Sequence, residues 1–425
     1  MVGWYDSSIG LACTLSITLP FLLFFAKEKS LRLLIILFTL VISTAIIFSL
    51  SRAGIISIIV IYIIYVFRNS AWKKNKLLIL TGIAILFALS IFLYFIKKDS
   101  ADGRILIWKC SISMIVDNPI FGFGKGGFQK NYMKYQADYF KTHDNSNYSI
   151  VADSVDHPYN EFILLIIEHG MLGFAILLGI ICFIWLSYKR NPNENNFIAM
   201  LCLVSVAIFS LFSYPFSFPI TWIICTVCIY IIIVNARYTL AIPNRYIQLA
   251  SIIILLASTF SLYSLTKKIK AELEWSKIAS KAKKSTYNDI AVQYLNLYPI
   301  LKTDPKFLYN YAAVLNYHKD YKRSLLIANE CMQQLSNYDL QMLTADNLYA
   351  LAHYHTAEKY YIIASQMCPS RFFPLYQLNL IYEKTGNKEK CIKIGKKIIN
   401  KPIKIESIEI QIIKEEMKLK YEKLK

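Results

Sequence analysis

Long apolar runs constrain this chain more than anything else in it. A stretch of roughly 18 or more apolar residues crosses a bilayer as a helix, because lipid offers backbone N–H and C=O groups no partner but each other. Of the 425 residues 56% are hydrophobic and the mean hydropathy is +0.40, too apolar for an ordinary soluble protein. Eight spans are expected, at about 9–26, 33–50, 53–67, 77–96, 159–187, 196–213, 220–236 and 247–265. The expected fold class is therefore all-α: a polytopic membrane protein with about eight transmembrane helices, followed by a helical C-terminal region.

Short connections set the orientation. Lys27, Lys29 and Arg32 follow the first span, Arg68, Lys73, Lys74 and Lys76 the third, Lys189 and Arg190 the fifth, and Arg237 and Arg245 the seventh. These loops share one face, and an excess of lysine and arginine marks the cytoplasmic side. The opposite short connections carry only Arg52, and Tyr214 to Pro219 carries no charge. The 97–157 loop and the C-terminus are thus expected outside, in the periplasm if the membrane is a bacterial inner membrane. Met1 would also lie outside, with Gly3-Trp4-Tyr5-Asp6 reading as a loop and no positively charged leader before the first span. That pattern suggests a misassigned start or absent upstream helices.

The formal net charge of +19 reads as anchoring to anionic membrane lipids; no nucleic-acid motif accompanies it, and no nucleic-acid partner is expected. The nine cysteines form no metal pattern. Cys225-Thr226-Val227-Cys228 has redox-motif spacing but sits inside a span, where packing is the better account. Cys331, Cys368 and Cys391 fall in the C-terminal region and leave a disulfide there open.

From about Lys267 the long apolar runs stop and helical periodicity rich in tyrosine and leucine takes over. This divides the chain into a transmembrane domain, 1–266, containing the large 97–157 loop, and a second domain, 267–425. Three helix pairs recur there at about the 34-residue period of tetratricopeptide units. The third is clearest, with Leu375, Leu378, Tyr382, Gly386, Cys391, Gly395 and a closing Pro402. Looser units surround Leu308, Leu315, Tyr321 and Ala328, and Leu351, Ala357, Ala364 and Pro369. Such stacks share a core and present a groove able to take a protein partner. The stretch 403–425 reads as a capping helix.

Chemistry is expected in the polar insert between spans, and each candidate there has a plainer reading beside it. Arg52, in Ser51-Arg52-Ala53-Gly54, is either an interfacial anchor or a guanidinium clamp for a lipid-linked phosphate. Arg104 and Trp108 lie one turn apart on a helix expected to stop before Asn118-Pro119. With Ile112 and Met114 that helix reads as amphipathic, an interfacial belt or the carrier of a second cation. Gly122-Phe123-Gly124-Lys125-Gly126-Gly127 has the letters of a phosphate loop, but no strand precedes it, so a glycine-permitted turn explains it better. His157, Tyr159 and Glu161 gather where the fifth span begins. They are either interfacial side chains, with Glu161 favoured at a helix N-terminus, or the source of a general base.

The order of these motifs resembles the O-antigen ligase and polymerase superfamily. The matching elements are Ser51-Arg52-Ala53-Gly54, Arg104 to Trp108, Asn118-Pro119-Ile120-Phe121-Gly122-Phe123-Gly124, Tyr159-Asn160 and Gly170-Met171-Leu172-Gly173, over about residues 1–235. The resemblance implies glycan transfer from an undecaprenyl-pyrophosphate-linked donor to lipopolysaccharide core or a protein hydroxyl, inverting and independent of a metal or cofactor. It also implies an inner-membrane enzyme acting at its periplasmic face. Arg52 and Arg104 would hold the pyrophosphate, with Trp108, Asn160 and Glu161 in support. The ligase pattern places histidine where this chain has Tyr159, so the base falls to Tyr159 or His157, or positioning by the arginines suffices, or activity is lost. A tetratricopeptide extension looks like that of some O-linked oligosaccharyltransferases. The alternatives are a repeat-unit polymerase and a degenerate membrane-anchored scaffold.

Overall fold

The computed structural model describes residues 8–25, 30–69, 95, 98–143, 146–238, 243–281 and 286–421. The expected span at 77–96 lies outside the described residues except for Phe95, as do Gly3 to Asp6, Lys27, Lys29, Lys73, Lys74 and Lys76. Among the described residues the regular structure is helical. The chain forms two compact units, each assembled from two stretches: Met1–Lys125 with His157–Leu240, and Gly126–Asp156 with Ala241–Lys425.

The first unit holds α1 (Ser8–Phe25), α2 (Arg32–Phe48), α3 (Arg52–Asn69) and α4 (Lys98–Asp117). After a stretch belonging to the second unit, α5 (Gly127–Thr142), the chain returns with α6 (Glu161–Arg190), α7 (Glu194–Phe212) and α8 (Pro219–Asn235). Small buried residues, including Ala12, Cys13, Ala53, Ala199, Cys202 and Cys228, share a core with Ile17, Ile46 and Phe209. Their size lets backbones approach closely, which is how helices gain packing where lipid gives no hydrophobic drive. At Gly54 the approach is so close that a Cβ would lie 2.8 Å from the Ile46 Cγ2. A hydroxyl pair, Ser57 Oγ with Ser205 Oγ at 2.8 Å, joins α3 to α7.

Among the described residues four helices are long and apolar enough to cross a membrane: α1, α6, α7 and the Arg245–Lys281 helix, while α2 and α8 are apolar but shorter. The expected span at 159–187 is interrupted. At Gly170 (φ 64°, ψ −170°) the helical backbone breaks, so α6 is two helical segments end to end. The loop after α4 fills the break. Phe123 N–H donates to the Ile167 carbonyl (2.8 Å) and Gly124 N–H to that of Glu168 (2.9 Å). In return Met171 N–H donates to the Pro119 carbonyl (2.8 Å) and Leu172 N–H to that of Ile120 (3.2 Å). A Cβ on Gly122 would overlap the Ile167 carbonyl, and one on Gly170 the Ile120 carbonyl. Two motifs far apart in sequence, Asn118 to Gly124 and Gly170 to Gly173, therefore form one interlock. Of the glycine-rich letters at 122–127, Gly122 to Gly124 serve that interlock and Gly126 precedes α5, and the N–H groups of Phe123 and Gly124 are spent on helix carbonyls.

The helix α4 stops at Asp117, before Asn118-Pro119, as its sequence requires. Its faces differ from the expectation. Met114 is fully buried with Leu106, Ile107 and Cys110, whereas Ile112 and Val116 are exposed. Two residues apart on a helix point to opposite sides, so Ile112 and Met114 cannot form one apolar stripe.

The second unit opens with α5 and continues with α9 (Asn244–Lys281), α10 (Tyr287–Leu301), α11 (Pro305–Tyr317), α12 (Tyr321–Cys331), α13 (Tyr338–Ala350), α14 (Tyr354–Met367), α15 (Phe373–Lys384), α16 (Lys388–Asn400) and α17 (Ile408–Tyr421). Position 266 falls inside α9, which runs unbroken from its apolar part to Lys281. Successive helices pair as α11 with α12, α13 with α14 and α15 with α16. Asp304, Asp320, Asn337 and Asn387 cap α11, α12, α13 and α16 by accepting from N–H groups of the first turn. Ala312, Ala328, Ala345, Ala357 and Ala364 are buried at the tight positions, with Tyr294, Phe307 and Tyr361 filling the space between.

The loop between α4 and α6 does not stay wholly with the membrane helices, because 126–156 packs into this second unit. Helix α5 lies against α14 and buries Phe128, Tyr132, Met133, Ala137 and Phe140. Gln136, fully buried, donates to the carbonyls of Met367 (2.6 Å) and Asp153 (3.1 Å) and accepts from the Tyr132 hydroxyl (2.7 Å). Ser336 N–H donates to the Gln129 carbonyl, and an Arg371–Asp153 ion pair closes at 3.0 Å.

Candidate functional site

Two arginines line one cleft in the first unit. Ser51 begins the site: its Oγ accepts from the Gly54 N–H at 3.3 Å, capping α3. The turn before it is tight, with Leu50 at φ 53° in the left-handed region. This geometry puts Arg52 at the first position of α3, Ala53 in the core and Gly54 against α2. The four-residue motif thus has a role for each member. A cation at a helix N-terminus faces the positive end of the macrodipole, an unfavourable place unless an anion joins it.

Arg104 reaches the same cleft from α4; Ser51, Ser100, Phe212 and Ser213 are also in its wall, and its volume is about 130 Å³. Burial, and after it the neighbouring Arg52, pushes the Arg104 guanidinium below its ordinary pKa. Like charges gathered in a partly dehydrated space are costly until an anion arrives, and arginine's planar fork suits phosphate oxygens. Chemically such a cleft suits an anion.

Beyond Arg104 lies an aromatic group. The Arg104 guanidinium sits 5.3 Å from the centre of the Tyr159 ring. Trp108, one turn along α4, donates its indole N–H to the Pro158 carbonyl at 2.9 Å, so a single helix holds both Arg104 and the 157–160 segment. His157 stacks on Tyr214 (4.9 Å, 17°), and Tyr159 meets the same ring at 5.7 Å. Tyr159 has φ 53°, a conformation that costs a bulky residue about 1–3 kcal/mol and recurs at functional sites. Asn160 holds the strained turn: its Oδ1 accepts from the N–H groups of Phe162 and Ile163, and its Nδ2 donates to the Leu211 carbonyl at 3.1 Å. The Glu161 carboxylate accepts from the Phe216 N–H at 3.3 Å, which ties α6 to the connection between α7 and α8.

All seven residues singled out from sequence therefore lie in the first unit. Arg52 and Arg104 share the cleft, Arg104 contacts Tyr159, and His157 joins them through Tyr214. Trp108, Asn160 and Glu161 fix backbone rather than face the cleft through the contacts just given. Tyr214 and Ser213 were missed, because an uncharged connection between two spans carries no signal of chemistry. Among the described residues no three His, Cys, Asp or Glu side chains group as metal ligands.

This arrangement can be set beside known proteins. Residues 35–178 match the O-antigen ligase family model. The match contains the Ser51 to Gly54 turn, α4, both halves of the interlock and the 157–161 segment. Two Rickettsia proteins, named provisionally as polysaccharide ligases, are also similar: one from Rickettsia typhi at 28% identity and one from Rickettsia prowazekii at 26%, each over 127 residues. These alignments cover 28% of this chain and 29% of each relative. The similarity supports the superfamily and a ligase-type function at a coarse level.

Proposed function

We propose that this protein transfers a glycan from an undecaprenyl-pyrophosphate carrier to an acceptor hydroxyl at the outer face of a bacterial inner membrane. The observation that carries the reading is the convergence of Arg52 and Arg104 on one cleft, with Tyr159 against Arg104. The two guanidiniums bind the diphosphate and take up charge as it departs. The acceptor oxygen attacks the anomeric carbon from the face opposite the diphosphate. The C–O bond to the carrier breaks with its electron pair on the diphosphate, and the acceptor proton passes to a base drawn from Tyr159 and His157. Configuration inverts, and neither a metal nor a cofactor takes part. The helix pairs of the second unit act as tetratricopeptide repeats whose groove receives a polypeptide partner, which tilts the acceptor toward protein over lipopolysaccharide core. A polymerase uses the same donor chemistry. The scaffold reading draws on one observation, tyrosine at position 159 where the ligase pattern has histidine.

Deletion of the gene tests the proposal, read on one envelope preparation by lipopolysaccharide gel, glycoprotein stain and extraction of carrier-linked glycan. Accumulation of carrier-linked glycan with loss of sugar from one acceptor is the expected result, and the acceptor lost names the type of transferase. Collapse to single repeats would make it a polymerase. An unchanged envelope in a strain without a paralogue would leave the scaffold.

A further inference from the structure

Ser213 sits in the wall of the arginine cleft with a hydroxyl that the fold does not use. It is 2% exposed, and its Oγ has no hydrogen-bond partner among the described residues. Among the described residues Ser16 and Ser111 of this unit also leave buried hydroxyls without a partner, but of these three only Ser213 lines the cleft, and two serines of α7 settle theirs. Ser210 donates back to the Val206 carbonyl at 2.9 Å, and Ser205 pairs with Ser57 at 2.8 Å. Ser213 lacks the first option because it lies past the last turn of α7 in extended conformation (φ −156°, ψ −162°). A buried hydroxyl without a partner is a standing cost, and alanine would fill the same place without it. Ser213 lines a cleft that already gathers two guanidiniums, and the next residue, Tyr214, stacks on His157.

We infer that Ser213 is a ligand-binding residue, donating its hydroxyl proton to a phosphoryl oxygen held by Arg52 and Arg104. The inference rests on reading the cleft as a diphosphate site, and it deepens that reading in one respect. A hydroxyl donor beside two planar forks favours a tetrahedral oxyanion over a carboxylate, whose two oxygens the forks alone would satisfy. It also links the diphosphate to the aromatic pair, since Ser213 and Tyr214 are consecutive.

The test uses the full chain in detergent, with geranylgeranyl diphosphate and inorganic pyrophosphate as probes and binding read by calorimetry and by thermal shift. Ser213→Ala is expected to keep or raise the melting temperature of the free protein while weakening diphosphate binding about tenfold or more, the weight of a hydrogen bond to a charged group. Ser213→Thr, which keeps the hydroxyl, is expected to bind within a few-fold of the wild type, and Arg52→Ala to lose binding. Protection by the prenyl probe alone points to the lipid carrier, and equal protection by both to free diphosphate; either is consistent with a Ser213 contact. If Ser213→Ala binds like the wild type while Arg52→Ala does not, Ser213 is no ligand and the diphosphate reading survives. If Ser213→Ala melts several degrees lower without ligand, the hydroxyl is structural and the inference falls. If the wild type binds neither probe, the diphosphate reading fails and the inference with it.

Discussion

Gly170→Ala is the sharpest test of the interlock between the loop after α4 and the broken α6. The substitution acts twice. At φ 64° and ψ −170° the backbone lies in a region open essentially to glycine alone, and forcing another residue there costs about 1–3 kcal/mol. A Cβ would also overlap the Ile120 carbonyl and crowd Phe121, both backbone, so no side chain can swing aside. Relief requires the loop to withdraw, which threatens the four hydrogen bonds at Phe123, Gly124, Met171 and Leu172. At about 0.5–1.5 kcal/mol each, these are worth about 2–6 kcal/mol. The total approaches the whole stability of a typical domain, about 5–15 kcal/mol. Two glycines serve as controls. Gly179 lies in the same helix with open space around it, so Gly179→Ala should be neutral or stabilising by up to about 1 kcal/mol. Gly124 has φ 78° but nothing near its Cβ position, so Gly124→Ala should show the backbone penalty alone. Denaturation of the detergent-solubilised chain, followed by tryptophan fluorescence, ranks the three. Gly170→Ala unfolding alongside Gly179→Ala would refute the interlock as the element that holds α6 in two pieces.

Other outcomes follow from the second unit and its capture of α5. Gln136→Ala removes three hydrogen bonds from a fully buried site, so urea unfolding should show a loss of about 2–4 kcal/mol. Asp153→Asn neutralises a half-exposed ion pair with Arg371 and leaves an amide oxygen able to accept from the Ser154 N–H, so its cost should stay below about 1 kcal/mol and fade in high salt. The Asp346 carboxyl is held above its ordinary pKa by burial, with the Tyr361 hydroxyl opposing the shift. The folded state therefore binds that proton more tightly than the unfolded chain, and its contribution, complete below pH 3.8, is lost as pH rises through the raised value. Asp346→Asn should flatten this part of the pH profile, and an unchanged profile would remove Asp346 as its source.

The membrane helices were the most legible part of the sequence, because apolar runs and the absence of water leave the backbone one solution. Arg52 was legible as the lone cation of the short outer connections, and Arg104 with Trp108 by their one-turn spacing. The helix end at Asp117 could be read from Asn118-Pro119. Long-range pairing was not legible. Nothing local at Gly170 says that Ile120 will meet it, and an apolar run looks the same whether or not the helix inside it is broken. The packing of 126–156 onto the C-terminal helices was hidden for a similar reason, since Phe128, Tyr132 and Met133 look like any amphipathic face until their partner is known. Ser213 and Tyr214 carry no charge and belong to no pattern, and only the fold brings them to Arg104 and His157.

The central claim is that Arg52 and Arg104 hold the departing diphosphate together, and complementation of a deletion strain measures it most directly. Arg52→Ala, Arg104→Ala and Arg104→Lys would be expressed at matched membrane levels, and carrier-linked glycan and acceptor glycosylation quantified in each. Loss of transfer with accumulation of the carrier-linked glycan in both alanine variants, and a deep deficit in the lysine variant that keeps the charge without the fork, is the expected result. Full transfer by Arg104→Ala would contradict the account, because the account needs both guanidiniums on the departing diphosphate.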